Sequence, residues 1–137
     1  KRRSTFCLEP PGFAPNRKSM VDSLLSGCIP VFFWGLSDYI YYMDDHFGEW
    51  KREASVNLEP NNVLKKGEAA LLQTLHAIPK SRIAKMQSAL AEHAIKLVWG
   101  LGYLQGDAVE TLLKVLLAKA TAENAERRLR RRLSSQM

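Results

Sequence analysis

The pattern of apolar and polar positions predicts a βαβ unit within the first 33 residues. Segment 4–8 (STFCL) is β-prone and precedes a proline-glycine loop at 10–12, as expected of a strand that runs into a loop. Segment 28–33 (CIPVFF) is continuously apolar, which is typical of a strand buried on both faces. Between them, apolar side chains recur at helical spacing and predict a helix that begins near Arg17, with Asn16 as its cap. Strands joined by such a crossover run parallel.

The rest of the chain predicts one more strand and three helices. Segment 34–53 has no clear period and indicates a long loop or a short irregular helix, whereas 54–58 (ASVNL) indicates a third strand. Helices are expected at about 66–76, 81–99 and 107–132. Asp107 would cap the last of them. The predicted fold class is α/β, with three short parallel strands followed by helices. Three strands are too few for a free-standing doubly wound sheet, so we expect a piece of a larger fold with one sheet edge bare.

Composition and charge restrict the functional classes. The chain has 137 residues, 46% of them apolar, which fits one globular unit with a modest core. The net charge of +6 lies at the two ends, where the basic residues are Lys1, Arg2, Arg3, Arg127, Arg128, Arg130, Arg131 and Arg132. We therefore divide the chain into a domain at 1–120 and a basic helical tail at 121–137. Such ends are typical of solvated tails, with binding to a polyanion as the alternative. No aromatic residue interleaves with these arginines to stack on bases, so no nucleic-acid partner is expected.

The cysteines and one acidic run carry weaker signals. Cys7 and Cys28 lie among apolar residues, which favours buried free thiols; a disulfide between neighbouring strands is the open alternative. The run Met43-Asp44-Asp45-His46 has no second ligand cluster, which favours a solvated loop and predicts no metal site.

The loop at 9–16 leaves the carboxyl end of a predicted strand, where open α/β sheets bind ligands. The helix behind it directs unpaired N–H groups toward the same crevice, and Arg17, Lys18 and Ser19 lie in its first turn. These side chains suit phosphate oxygens. Cations at a helix N-terminus oppose the helix dipole, so a negative group is expected to compensate them. Asp22, one turn on, would accept hydrogen bonds from ribose hydroxyls or pair with Lys18.

Two sequence blocks carry a resemblance to a known family. They are S-x-F-C-L-x-P-P-G from Ser4 and R-K-S-x-x-D-S-x-x-x-G-C-I-P-V-F-F from Arg17. The blocks resemble the C-terminal part of the exostosin-like glycosyltransferases, family 47, and most of all their plant xyloglucan galactosyltransferase branch. The resemblance extends to about Leu117 and departs at Phe13, where that branch usually has an acidic residue.

The resemblance implies a GT-B glycosyltransferase, with this chain as most of its C-terminal, Rossmann-like, nucleotide-sugar-binding half. It implies a UDP-sugar donor without an obligatory metal cofactor, and transfer of a hexosyl group, for example galactosyl, to a polysaccharide or glycoprotein acceptor with inversion. The donor-binding residues that it implies are Gly12, Arg17, Lys18, Ser19 and Asp22. Arg17 would neutralise the departing UDP. The catalytic base is expected in the missing N-terminal half, and the whole enzyme is expected in the Golgi membrane, on its lumenal side.

The alternatives concern the loop and the activity. Trp34, Tyr39 and Tyr42 would stack on the sugar or the acceptor, or would pack the loop onto the domain. The departure at Phe13 favours, as an alternative function, a non-catalytic partner subunit that keeps the fold. A polyanion-binding module acting through the arginine tail is a further alternative.

Overall fold

The computed structural model describes residues 1–10, 17–33, 48, 50–102 and 104–134, with the backbone alone for 60–64. Three parallel strands form one sheet in the order β1 (Phe6–Glu9), β2 (Ile29–Phe32) and β3 (Val56–Asn57). This α/β arrangement, with helices after the sheet, was predicted from the apolar pattern. The strands are shorter than predicted, since β3 pairs with β2 only through Val56 and Asn57.

The first strand is displaced along the chain from its predicted position. It begins at Phe6, opposite Ile29, and ends at Glu9, opposite Phe32. The residues before it form a turn, in which the Ser4 amide donates to the Lys1 carbonyl at 2.9 Å. Glu9 is therefore a strand residue rather than part of the loop, because its pairing with β2 extends the strand by one position.

The central strand and the crossover helix form the core of the unit. All four residues of β2 are buried, as its continuous apolar run predicted. Helix α1 (Lys18–Leu25) packs Met20 and Leu24 into the same core as Phe32. Arg17, rather than Asn16, holds the N-cap position of α1. The chain leaves α1 through Gly27, whose φ of 70° is readily adopted by glycine.

Among the residues that the structure describes, four more helices and a 3₁₀ helix surround or follow the sheet. They are α2 (Trp50–Glu53), α3 (Pro60–His76), α4 (Lys80–His93), the 3₁₀ helix (Ala94–Leu97) and α5 (Ala108–Ser134). Helix α3 starts earlier than predicted and has a kink at Gly67, where φ is 70°. Helix α4 ends before residue 99, because the chain passes into the 3₁₀ helix and Val98 then accepts a hydrogen bond from the Ala108 amide at 2.9 Å.

The two cysteines form a disulfide, so the preference for free thiols was wrong. Cys7 of β1 and Cys28, which immediately precedes β2, have Cα atoms 5.8 Å apart. Phe6 lies opposite Ile29, so Cys7 follows this pair on β1 and Cys28 precedes it on the neighbouring segment, two register positions away. Neighbouring strands place Cα atoms within the range that a disulfide needs. The bond therefore ties the two strands that flank α1.

Helix α5 is capped at its start and exposed along most of its length. The Glu110 amide donates to Asp107 Oδ1 at 2.8 Å, which confirms the predicted cap. The Gly100 amide donates to the other oxygen of Asp107 at 3.2 Å, so the same carboxylate fixes the chain that leads into the helix. From residue 112 every described side chain is exposed except Val115, which is half-buried. The helix continues through residue 120, and the separate basic tail at 121–137 stays a prediction.

Candidate functional site

The N-terminus of α1 lies beyond the carboxyl end of β1, as the βαβ topology requires. Arg17 is exposed, and its guanidinium Nη1 donates to the Pro10 carbonyl at 3.0 Å. This hydrogen bond ties the helix start to the end of the strand. This hydrogen bond uses one of the five guanidinium N–H groups, so the other four leave room for hydrogen bonds to a phosphate.

Lys18 and Asp22 form an i,i+4 ion pair. This pair is one of the two roles predicted for Asp22, the other being hydrogen bonding to ribose hydroxyls. Lys18 Nζ lies 2.7 Å from Asp22 Oδ2 and 2.8 Å from Oδ1. The Lys18 side chain is 85% exposed and that of Asp22 44% exposed. Such pairs in water contribute little to stability, so both groups can exchange partners at small cost. The contact of Asp22 with a ribose stays a prediction.

Ser19 belongs to a buried polar network around Glu9. The Ser19 hydroxyl donates to Glu9 Oε2 at 2.5 Å, and the Ser23 hydroxyl donates to Oε1 at 2.6 Å. Lys1 Nζ donates to Oε1 at 3.0 Å and also to the Ser19 carbonyl. Glu9 is 2% exposed and Ser23 is fully buried. The end of β1 is thus joined to the first two turns of α1 through one carboxylate.

The network keeps the Glu9 carboxylate ionised. Burial, the largest influence, raises the pKa of Glu9, but the hydrogen bonds from Ser19, Ser23 and Lys1 and the charge of Lys1 together outweigh it. The pKa therefore lies below its ordinary value of 4.5. A buried negative charge next to the helix N-terminus suits the dipole of α1.

The negative group expected beside the cations at the start of α1 is Asp22, which pairs with Lys18. Glu9 is a second carboxylate close to this turn, but its ionic partner is Lys1. The Ser19 hydroxyl donates its hydrogen bond to Glu9. Ser19 would therefore bind a phosphate through its backbone amide, or its side chain would have to rotate away from Glu9. The sequence pattern that indicates this role of Glu9 is a strand ending in a carboxylate, followed by a helix with Ser19 and Ser23 at i,i+4 spacing on one face.

Several predicted site residues lie outside the described residues. They are Gly12, Trp34, Tyr39, Tyr42 and the run at 43–46. Trp50, the first residue of α2, is buried, and its ring centroid lies 5.0 Å from that of His93 in a stacked arrangement. Its role is packing α2 against α4.

The described part of the chain also bears on metal binding and on membrane crossing. Within those residues no three histidine, cysteine, aspartate or glutamate side chains lie close enough together to hold a metal ion. Over the same residues, none of the helices has the length and apolar character that crossing a membrane requires.

Comparison with known proteins gives a consistent result. Residues 2–75 match the Exostosin GT47 domain. The chain is 32% identical over 85% of its length to "Probable xyloglucan galactosyltransferase GT13" of Arabidopsis thaliana, and 35% identical over 70% to the relative named GT12. It is 44% identical over 47% of its length to "Xyloglucan-specific galacturonosyltransferase 1" of the same plant.

The matched regions are small parts of these relatives. The chain spans 25% of the first of them, 18% of the second and 11% of the third. No solved structure matches the chain.

Proposed function

The chain belongs to the exostosin GT47 family, and from this premise we propose that it is the donor-binding part of a glycosyltransferase that uses a UDP-sugar. The relatives named above are called glycosyltransferases, which supports a transferase. The observation that carries the proposal is the position of the Arg17 and Lys18 side chains, both exposed at the N-terminus of α1 beyond the end of β1.

The diphosphate is proposed to lie across the first turn of α1. The unpaired N–H groups of this turn and the positive end of the helix dipole would face it. Arg17 would grip one phosphate while its hydrogen bond to the Pro10 carbonyl holds the side chain in place. Lys18 would exchange Asp22 for a phosphate oxygen, which would leave Asp22 free to accept from the ribose hydroxyls. Gly12 would allow close backbone approach, and Ser19 would contribute its amide.

The chemistry follows from this arrangement of charge. Cleavage of the bond between the sugar and UDP leaves negative charge on the diphosphate, and Arg17 and the helix N-terminus would stabilise it in the transition state. These groups would carry the charge that a metal carries elsewhere, so the proposal needs no obligatory metal cofactor. The catalytic base and the second half of a GT-B fold would come from outside this chain, and transfer would proceed with inversion.

The names of the relatives agree on the acceptor but not on the sugar that is transferred. Their names share xyloglucan but differ in the sugar, since two are named galactosyltransferases and one a galacturonosyltransferase. We therefore propose a plant polysaccharide of the xyloglucan type as acceptor and a hexosyl donor, with galactosyl as the first to test. Trp34, Tyr39 and Tyr42 are proposed to contact the sugar or the acceptor.

The disulfide supports a location in the secretory pathway. Bonds of this kind persist in oxidising compartments and are rare in the cytosol. A lumenal, Golgi-membrane enzyme fits that requirement.

A non-catalytic partner subunit is the alternative that one observation favours. Arg17, Lys18 and Ser19 each hold a protein partner within the fold, as they would if the site had lost its ligand. Such a subunit would keep the fold and would not transfer sugar.

Calorimetric titration of UDP into the chain tests the proposal. We expect binding that weakens about tenfold in Arg17→Ala, because a charge-assisted contact to a phosphate is lost. Arg82→Ala, which removes an exposed arginine of α4, is the matched control and should bind like the wild type. ATP should bind more weakly than UDP. Equal UDP affinity in the wild type and Arg17→Ala would contradict the site. UDP binding without sugar transfer by the full-length protein would support the non-catalytic alternative.

A further inference from the structure

We propose that α5 pairs in an antiparallel manner with α5 of a second copy of this chain. The helix has 27 residues, so it is about 40 Å long. Its first turns contact the 3₁₀ helix, and beyond them its side chains are exposed. Isolated exposed helices gain little stability from propensity alone, and most helices are stabilised by packing one face against a partner. This inference does not depend on donor binding.

One face of α5 has the spacing of a coiled-coil seam. Its members are separated alternately by three and four residues: Val115, Ala118, Ala122, Ala125 and Leu129. A mean spacing of 3.5 residues keeps one face toward a partner helix over several turns. Leu129 is 59% exposed although it lies on this face. We call these five residues the seam.

The distribution of charge determines the direction of pairing. Five arginines lie within residues 127–132, at the C-terminal end of α5. In a parallel pair the two clusters would lie side by side, and Lys114 would face Lys119 of the partner subunit at the flanking positions. Like charges in such positions destabilise the pair. An antiparallel pair places the two arginine clusters at opposite ends, so the repulsion is largely removed.

The antiparallel direction also pairs opposite charges. With Ala122 against Ala125 of the partner subunit, the flanking positions bring Lys119 next to Glu126 of the partner subunit. The two-fold symmetry repeats this contact. The same register places Leu112 next to Leu133 of the partner subunit, and both leucines are exposed in the single chain. Charge complementarity and apolar contact therefore support the same register.

A second apolar face of α5 is less suited to pairing along the helix. It contains Leu113, Leu116 and Leu117, which are 58%, 53% and 70% exposed. This face ends near Ala120, because Glu123 and Arg127 follow on the same side. It spans about two turns close to the domain, whereas the seam extends from Val115 to Leu129.

Sedimentation equilibrium of the 137-residue chain and a charge-exchange series tests the proposal. We expect a dimer for the wild type, and about tenfold weaker association for Glu126→Lys, because both symmetric contacts become repulsive. Lys119→Glu should weaken it similarly, and the double variant Lys119→Glu/Glu126→Lys should restore it. Glu123→Lys makes the same charge change away from the flanking positions and should leave association unchanged.

Cysteine cross-linking tests the direction. In an equal mixture of Ala122→Cys and Ala125→Cys chains, we expect the disulfide between unlike chains to dominate, whereas a parallel pair would join like chains.

Three results would overturn the proposal. The first is a monomer at all concentrations up to about 200 μM, a range in which even weak specific pairing is visible. The second is a dimer that responds to Leu113→Lys and not to Glu126→Lys, which would assign the interface to the leucine face. The third is a monomer that floats with phosphatidylserine vesicles through its arginines, which would assign the face to a membrane surface.

Discussion

The βαβ unit at the start of the chain and helix α5 at its end differ in how their charges are used. In the βαβ unit Glu9 is 2% exposed, yet it accepts hydrogen bonds from two hydroxyls and an ammonium group. In α5 the arginines of residues 127–132 are exposed, and the helix has few contacts with the rest of the domain. Charge inside the unit therefore determines local geometry, whereas charge on α5 lies on the surface of the chain.

The largest expected difference concerns the core. Phe32→Ala should lower the free energy of unfolding by about 3 to 5 kcal/mol, because Phe32 is fully buried in the central strand and its loss leaves a cavity. Leu117→Ala removes an α5 side chain that is 70% exposed and should cost less than about 0.5 kcal/mol. Urea denaturation of both variants measures the comparison. Equal costs would mean that α5 is packed in solution.

Removal of the disulfide comes next. The double variant Cys7→Ala/Cys28→Ala should lose about 3 kcal/mol, since the bond closes a loop with a sequence separation of 21. Thermal unfolding of the variant, and of the wild type with and without dithiothreitol, checks this. Reduction should bring the wild type close to the variant. No response to dithiothreitol would contradict the bond.

The buried carboxylate should give a smaller, pH-dependent effect. Glu9→Gln should lose about 1 to 2 kcal/mol at pH 7, because an amide cannot accept from both Ser19 and Ser23 with the same geometry. The folded pKa of Glu9 lies below its ordinary value of 4.5, so the contribution of the carboxylate is present above that value and is lost as the pH falls through the folded pKa. Denaturation at pH 7 and pH 3 should show the difference between variant and wild type shrinking in acid. A difference that grows in acid would contradict this assignment.

The smallest effects on stability concern two matched ion pairs. Lys18 pairs with Asp22 in α1, and Lys114 pairs with Glu110 in α5, both at i,i+4 and at 2.7 Å and 2.5 Å. Lys18→Ala and Lys114→Ala should each change stability by less than about 0.5 kcal/mol. We expect only Lys18→Ala to weaken UDP binding, by several-fold. An equal loss of UDP affinity in Lys114→Ala would mean that UDP is attracted by the positive charge of the chain rather than bound at α1.

The sequence predicted the parts of the fold that depend on pattern. A continuous apolar run is enough for β2, and an apolar period followed by glycine is enough for α1. The cap at Asp107 was predicted because capping is local. The predicted bounds of α3 and α4 were less accurate. Helix α3 starts before its predicted first residue, because Gly67 kinks the helix without ending it. Helix α4 ends before its predicted last residue, and the Val98 carbonyl that follows accepts a tertiary hydrogen bond.

The candidate site was only partly predictable for a related reason. The cations at the start of α1 and the Lys18–Asp22 spacing are visible in the sequence. The role of Glu9 depends on the β1–β2 register, which makes Glu9 the last residue of a strand and places it under α1. The disulfide depends on that register as well. Long-range pairing of this kind cannot be read from local periodicity.

The most direct test of the central claim maps where UDP binds on the folded chain. Amide chemical shifts would be followed by heteronuclear NMR during a UDP titration. We predict that the largest changes occur at the amides of Lys18, Ser19 and Met20 in the first turn of α1, with none at the arginines of α5. Changes confined to those arginines, or none at all, would contradict a diphosphate site at the start of α1.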